Sequence, residues 1–504
     1  MQQLTGLDAS WLYLETPTTP LHIGVINVFE TPEGEFSPLR ATRSQFASRV
    51  PLIEPLRRRL VEVPLGLSHP FWVIDADFDL DAHIHHHVAP APDDDSVAQL
   101  IGAIMTPALD RSRPLWEAHV IEGLPGNKWA VLSKYHHATI DGGAGILLVH
   151  LLLDEDPEAR SEAPGDLVPD AEPVPSDLAL VTESAAATLR NPRELLGLQV
   201  KVARHLGERI KVDGIRGLVS SATTVMRSAS GSSNPATQAR SAPKTPWNRT
   251  IGKERTYAFR SLPIADVLAL KTAVGSTLND VVLAAAAGGL RRYLIAHDAL
   301  PDRPLSALVP VSRRTGTEDK PWKNLISMIM SSLATEEADP HERFARTRQS
   351  MADAKGQLDF LPDDAIDGLA DLMPASLAST AVQLSSRLRL TDRVGGPANL
   401  TISNVTGPRT PLFLHGARLT NLTPLSLLTD GIGLNITVLS CGQQFDFGLA
   451  GCAQALPDLA FLQECILDEL YELYELHGVQ PSEPRRRSAA PQALPPDLME
   501  STSR

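Results

Sequence analysis

The amino-acid sequence predicts an α/β fold made of two units. Three observations carry that prediction. Short β-branched apolar runs alternate with segments of helical period on both sides of the chain's middle. The middle itself changes composition, to acidic and Pro-rich and later to Ser-rich chain. And 504 residues exceed one hydrophobic core, since single cores stop growing near ~250–300 residues.

Taken in order, residues 1–153 form the first unit. A short helix is expected at residues 7–12 with Asp8 as its N-cap, then a buried strand at 21–29 (LHIGVINVF). Residues 129–135 (WAVLSKY) read as another strand that runs into His136, and 142–153 as an apolar helix. Residues 154–247 form the crossover. Its start, to 177, is acidic and Pro-rich; 178–227 is helical in period; 228–246 is a flexible linker. The second unit, 248–478, opens on a strand at 255–259 and carries a strong helix, Leu278–Ala296. Strands follow near 305–311, 434–440 and 444–449, then a closing helix, Leu459–Leu476. The Pro-, Ser- and Arg-rich tail 479–504 is expected to be disordered.

Composition narrows the function. The apolar fraction of 43% and charged fraction of 21% are those of globular protein. A formal charge of −14 argues against nucleic acid as a partner, because phosphate contacts need clustered Lys and Arg. Cys441, Cys452 and Cys465 are widely spaced and odd in number, which fits free thiols in a reducing cytoplasm and neither a disulfide framework nor a zinc-binding cysteine set. The first residues lack the layout of a secretory leader. No run reaches the ~18–20 apolar residues that span a bilayer, so any membrane contact is expected to be peripheral.

The chemistry concentrates in His136-His137-Ala138-Thr139-Ile140-Asp141-Gly142. A hydroxyl is a weak nucleophile until its proton is being removed, so it needs a base. A neutral imidazole can take that proton and hand it to a leaving group. Asp141 followed by Gly142 suits a tight strand-to-helix turn, the acid pinning the turn and the glycine permitting close backbone approach. A contact between Asp141 and His137 does not follow from the spacing, so no triad is assumed. The bland alternative is a histidine pair that merely ends a core strand.

With these residues in place, the chain resembles the bacterial wax ester synthase/acyl-CoA:diacylglycerol acyltransferase family, related to the chloramphenicol acetyltransferase and condensation-domain fold. Besides the His-His-x-x-x-Asp-Gly motif, the likeness rests on Leu4-Thr5-Gly6-Leu7-Asp8-Ala9 with Pro20-Leu21-His22-Ile23-Gly24, on Pro114-Leu115-Trp116-Glu117 and on Asn279-Asp280. Val309-Pro310-Val311-Ser312-Arg313 and Ile402-Ser403-Asn404-Val405-Thr406-Gly407-Pro408 extend it through the second unit. Thr406 stands where proline is commoner, and the insertions between the units are long. The resemblance implies two chloramphenicol acetyltransferase-like halves, mixed sheets flanked by helices, and an active-site channel between them. It implies His137 as proton acceptor, His136 as an orienting neighbour and Asp141 as structural. It further implies acyl-CoA and diacylglycerol, or a long-chain alcohol, as substrates, with no cofactor and no metal.

The remaining roles are open at this level. Oxyanion donors are sought in Asn279, Thr401 and Ser403; for Asn279-Asp280 the competing reading is a helix N-cap with Asp280 at the positive dipole end. Pro114 and Trp116 read as packing before substrate contact. Arg313 could pair with Asp141, hold a coenzyme A phosphate, or lie on the surface. In His83-Ile84-His85-His86-His87, strand alternation puts residues 83, 85 and 87 on one face, where metal binding competes with a plain exposed edge strand; the cluster is not part of the family pattern. Residues 193–227 carry seven Lys/Arg against three Asp/Glu, either a solvated helix face or a peripheral dock on the inner membrane or a lipid droplet. No obligate protein partner is implied. Two rival functions remain: a condensation-type enzyme using a carrier-protein thioester, and a non-catalytic lipid-binding or lipid-droplet protein.

Overall fold

The computed structural model describes residues 1–66, 68–160, 176, 179–180, 182, 242–312, 322, 326–358, 375–485 and 491–492. The basic stretch 193–227, the linker 228–241, Arg313 and most of the tail lie outside the described residues.

Two six-stranded mixed sheets form the frame. In chain order the strands are β1 (Gln2–Gln3), β2 (His22–Glu30), β3 (Arg58–Val61), β4 (Phe71–Ile74), β5 (Ile84–Val88), β6 (Trp116–Leu124), β7 (Lys128–His136), β8 (Arg255–Pro263), β9 (Ser306–Ser312), β10 (Ile326–Ser332), β11 (Leu400–Thr406), β12 (Phe413–Leu414), β13 (Ala417–Leu425), β14 (Leu434–Cys441) and β15 (Gln444–Cys452). The first sheet runs β12-β13-β2-β7-β6-β5, the second β10-β9-β11-β14-β15-β8, and β1-β4-β3 form a small third sheet. The helices are α1 (Gly6–Leu14), α2 (Pro38–Arg49), α3 (Asp94–Met105), α4 (Gly142–Leu152), α5 (Ile264–Ala273), α6 (Leu278–Ala296), α7 (Pro340–Leu358), α8 (Ala375–Arg387), α9 (Leu390–Val394) and α10 (Leu459–Leu476).

The sheets do not divide where the composition does. Strands β12 and β13 belong to the second unit in sequence yet complete the first sheet, β13 pairing antiparallel with β2. This crossing strand is tied to the second sheet by Asp446 on β15. Its buried carboxylate accepts the Leu422 N–H at 3.0 Å and Asn421 Nδ2 at 3.2 Å, and it also accepts the Ser261 hydroxyl. Burial raises the Asp446 pKa, and these donors oppose the rise. At Gly448 a Cβ would sit 1.8 Å from the Pro424 carbonyl oxygen, so only glycine lets β13 lie against β15. The two halves are thereby sewn together next to the cavity described below.

Helix α1 begins earlier than expected. Thr5, not Asp8, is its N-cap, accepting the Asp8 N–H at 3.1 Å, while Asp8 takes the Thr5 hydroxyl at 2.8 Å. A threonine in the extended region with an acid three residues on is the stronger capping arrangement. Apolar side chains on α6 and α10 pack into the second core. Among the described residues no single helix is long and apolar enough to cross a membrane.

Candidate active site

Strand β7 ends at His136, and the chain then turns through residues 137–140 before Asp141 caps α4. The turn is fixed by the backbone: the His137 N–H donates to the Leu21 carbonyl at 2.9 Å, and the Thr139 N–H to the His136 carbonyl at 2.9 Å. Asp141 Oδ1 accepts the Ala144 N–H at 2.8 Å. It is buried and holds the start of the helix, as a cap with an acid at the positive dipole end should. The two histidines then part company, because neighbouring positions leave the strand in opposite directions.

His137 enters a cavity of about 450 Å³ between the two sheets, within the ~300–1,000 Å³ range of small-molecule pockets. Trp11 from α1 lies against its ring, with centroids 4.1 Å apart and planes tilted by 31°. Burial lowers the His137 pKa to about 4, with Asp141 pulling it back up and His136 pushing it further down. The imidazole is therefore neutral at neutral pH, the state a general base requires.

His136 turns away and is 1% exposed. Its Nδ1 accepts the Ala138 N–H at 3.1 Å, which leaves the proton on Nε2, facing Glu15 Oε2 at 3.7 Å. Glu15 is anchored in turn by Arg111 at 2.5 Å. Burial raises the Glu15 pKa, but His136 and Arg111 outweigh it and hold the acid at about 2. The Glu15 carboxylate thus stands behind the His136 ring as an ionic neighbour, while the ring's Nδ1 holds the turn through the Ala138 N–H. Nothing in the sequence marked Glu15 or Arg111, which lie 121 and 25 positions before His136.

The second half supplies the facing wall. Thr401 and Ser403 on β11 line the cavity, and so do Asn435 and Thr437 on β14. The parallel register sets Thr401 beside Asn435 and Ser403 beside Thr437, a polar ladder two strands wide. Thr437 donates its hydroxyl to Asn435 Oδ1 at 2.7 Å. Gly142, at the start of α4, also lines the cavity, and a Cβ there would stand 3.7 Å from Val405. The rest of the lining is mainly apolar, including Ile23, Val25, Ile146, Val149, Met328 and Leu439.

Several expected site residues are elsewhere. Asn279 and Asp280 do not line the cavity. They open α6, where Thr277 and Asp280 close a reciprocal capping box with bonds of 3.2 and 2.9 Å. Capping accounts for Asp280; Asn279 takes no part in the box, and the cavity lining does not include it as the expected oxyanion donor. Pro114 is buried outside the cavity. Trp116 is 1% exposed; its Nε1–H donates to the Leu56 carbonyl at 2.8 Å and its ring stacks on His83 at 4.5 Å. Both are packing residues. His83 consequently lies on the Trp116 side of the sheet, not on the face of His85 and His87 as alternation suggested, because the strand starts only at Ile84. Missed from sequence were Trp11, Asn435 and Thr437; an alternating apolar-polar run at 434–440 is the one signal that pointed to the last two.

Two mixed sheets joined by a crossing strand, with an imidazole in the cavity between them, are the frame of an enzyme that transfers a group to a hydroxyl with a histidine base. Comparison with known proteins gives the family. The wax ester synthase/diacylglycerol acyltransferase catalytic domain matches residues 4–282, and the C-terminal domain of that family matches 322–474. This chain belongs to the wax ester synthase/diacylglycerol acyltransferase family. A Mycobacterium tuberculosis relative provisionally named a diacylglycerol O-acyltransferase is 35% identical over 494 residues, covering 96% of this chain and 93% of its own. A second, also provisionally named for that activity, is 32% identical, with 94% and 98% covered. Among solved structures, the wax ester synthase/diacylglycerol acyltransferase of Marinobacter aquaeolei VT8 superposes with a TM-score of 0.66 at 27% identity, covering 95% of this chain and all of that one. A condensation domain of the calcium-dependent antibiotic synthetase shares the fold, with a TM-score of 0.52 at 18% identity.

Proposed function

We propose that this acyltransferase moves a fatty acyl group from acyl-CoA to the free hydroxyl of diacylglycerol, with long-chain alcohols as secondary acceptors. The single observation that carries the mechanism is the neutral His137 imidazole inside a mainly apolar cavity. His137 takes the hydroxyl proton as the oxygen attacks the thioester carbonyl. The C–O bond forms, and the carbonyl electron pair moves onto oxygen to give a tetrahedral oxyanion. Thr401 or Ser403, both in the cavity lining, donates to that oxygen, as fixed dipoles aimed at developing charge do. Collapse breaks the C–S bond, and the imidazolium returns its proton to the thiolate.

Direct transfer is favoured over a thiol-bound acyl intermediate. Cys441, Cys452 and Cys465 are all buried and none lines the cavity, and burial pushes the thiols of Cys441 and Cys465 up to about 12. The reading prefers diacylglycerol because the M. tuberculosis relatives are named for it. The test is purified protein given labelled acyl-CoA with diacylglycerol, monoacylglycerol and a long-chain alcohol in competition. Triacylglycerol should dominate the products. Dominant wax ester would reassign the acceptor, and transfer only from a carrier-protein thioester would overturn the donor.

A further inference from the structure

A second group of imidazoles converges at the β5 edge of the first sheet. Strand β5 is the sheet's outer strand and pairs in parallel with β6, His85 standing beside His119. Alternation puts His85, His87, Glu117 and His119 on one face. The rings of His85 and His119 stack at 4.9 Å, and His87 Nε2 and His119 Nδ1 share a hydrogen bond of 3.0 Å. His119 Nε2 is 3.2 Å from Glu117 Oε2. One ligand atom each from His85, Glu117 and His119 falls within 4.8 Å of the others.

We infer that His85, Glu117 and His119 bind a divalent transition-metal ion, zinc by preference, which clamps edge strand β5 to β6. Two imidazoles and a carboxylate suit zinc or cobalt better than the all-oxygen sites of magnesium and calcium. Bonds of ~2.0–2.1 Å in a tetrahedron set donor atoms ~3.3 Å apart. Closing the observed spacing to that falls to rotation of the His85 and Glu117 side chains, both only partly buried. His119 is 6% exposed and stays fixed; if it binds through Nε2, its Nδ1 keeps the hydrogen bond to His87. Such an outer partner is the usual companion of a metal-bound imidazole.

One feature opposes the ion. Lys134 Nζ lies 3.4 Å from Glu117 Oε2. That ammonium is also held by the carbonyls of Ile104 at 3.1 Å and Pro107 at 2.6 Å, so Glu117 can turn to a metal without stranding it. The gain falls on a vulnerable place, an outer strand with one unpaired side. None of the three ligands lines the His137 cavity.

The experiment uses the full chain, stripped with a chelator and titrated with cobalt and then zinc chloride. One equivalent of cobalt should bind with visible absorption, zinc should displace it, and zinc at about 100 times its Kd should raise Tm by about 2–3 °C. His85→Asn and Glu117→Gln should each abolish the bound equivalent, and His87→Ala should weaken it by roughly 10–100-fold. Acyl transfer should be unchanged in His85→Asn, whose partly exposed edge position keeps the test readable if Glu117→Gln misfolds. Absence of a saturable equivalent, or an isotherm and Tm shift that persist in His85→Asn, would overturn the assignment.

Discussion

The two halves contribute to the cavity in opposite ways. The first delivers the proton acceptor, His137, from a turn whose residues are contiguous in sequence and locked by a helix cap, with Glu15 behind His136. The second delivers hydroxyl and amide groups, Thr401, Ser403, Asn435 and Thr437, whose placement depends on the pairing of β11 with β14. A proton acceptor needs a tuned pKa, which burial and nearby charges set. An oxyanion wall needs only fixed dipoles, which strand register sets. The difference predicts distinct kinetic signatures for the two sides.

The sharpest way to break this asymmetry is to remove the base. His137→Ala should lower kcat by on the order of 10²–10⁴ with the fold intact, checked by circular dichroism alongside steady-state kinetics. On the other wall, Ser403→Ala should cost less, up to about 10²-fold in kcat, with KM little changed, because the donor acts on charge that exists only in the transition state. A large rise in KM with normal kcat would instead make Ser403 a ground-state contact.

Smaller effects sharpen the picture. Glu15→Gln removes the charge behind His136 but leaves the shape, so a loss of about tenfold in kcat with unchanged acyl-CoA binding is expected, comparable to outer partners elsewhere. Equal activity would show that the backbone contacts alone hold the turn. Asp280→Ala should leave kcat and KM unaltered and lower stability by about 0.5–2 kcal/mol, the range for a lost helix cap, measured by urea unfolding.

Most of the regular structure was legible because its signals are local. Helices Leu278–Ala296 and Leu459–Leu476 show their period and, for the first, their capping residues within the segment itself. The His136–Gly142 turn was legible for the same reason. The exchange of β13 into the first sheet was not, since it depends on tertiary pairing between residues about 400 positions apart, such as Thr423 with Ile26. Asp280 read as a site residue because an acid opening a helix serves a capping box as readily as an active site. Trp11 was passed over because a lone tryptophan in a short helix reads as core until its ring is seen beside His137.

The dependence of kcat/KM on pH tests the central claim most directly, because it reports the ionisation of the free enzyme's base. A histidine whose pKa is lowered by burial stays neutral, and so active, well below its ordinary range. Activity should therefore persist as pH falls through 6.5 and be lost only as it approaches about 4, and this limb should vanish in the residual rate of His137→Ala. An acid limb at the ordinary histidine value, or one that survives unchanged in the His137 variant, would contradict a buried neutral imidazole as the proton acceptor.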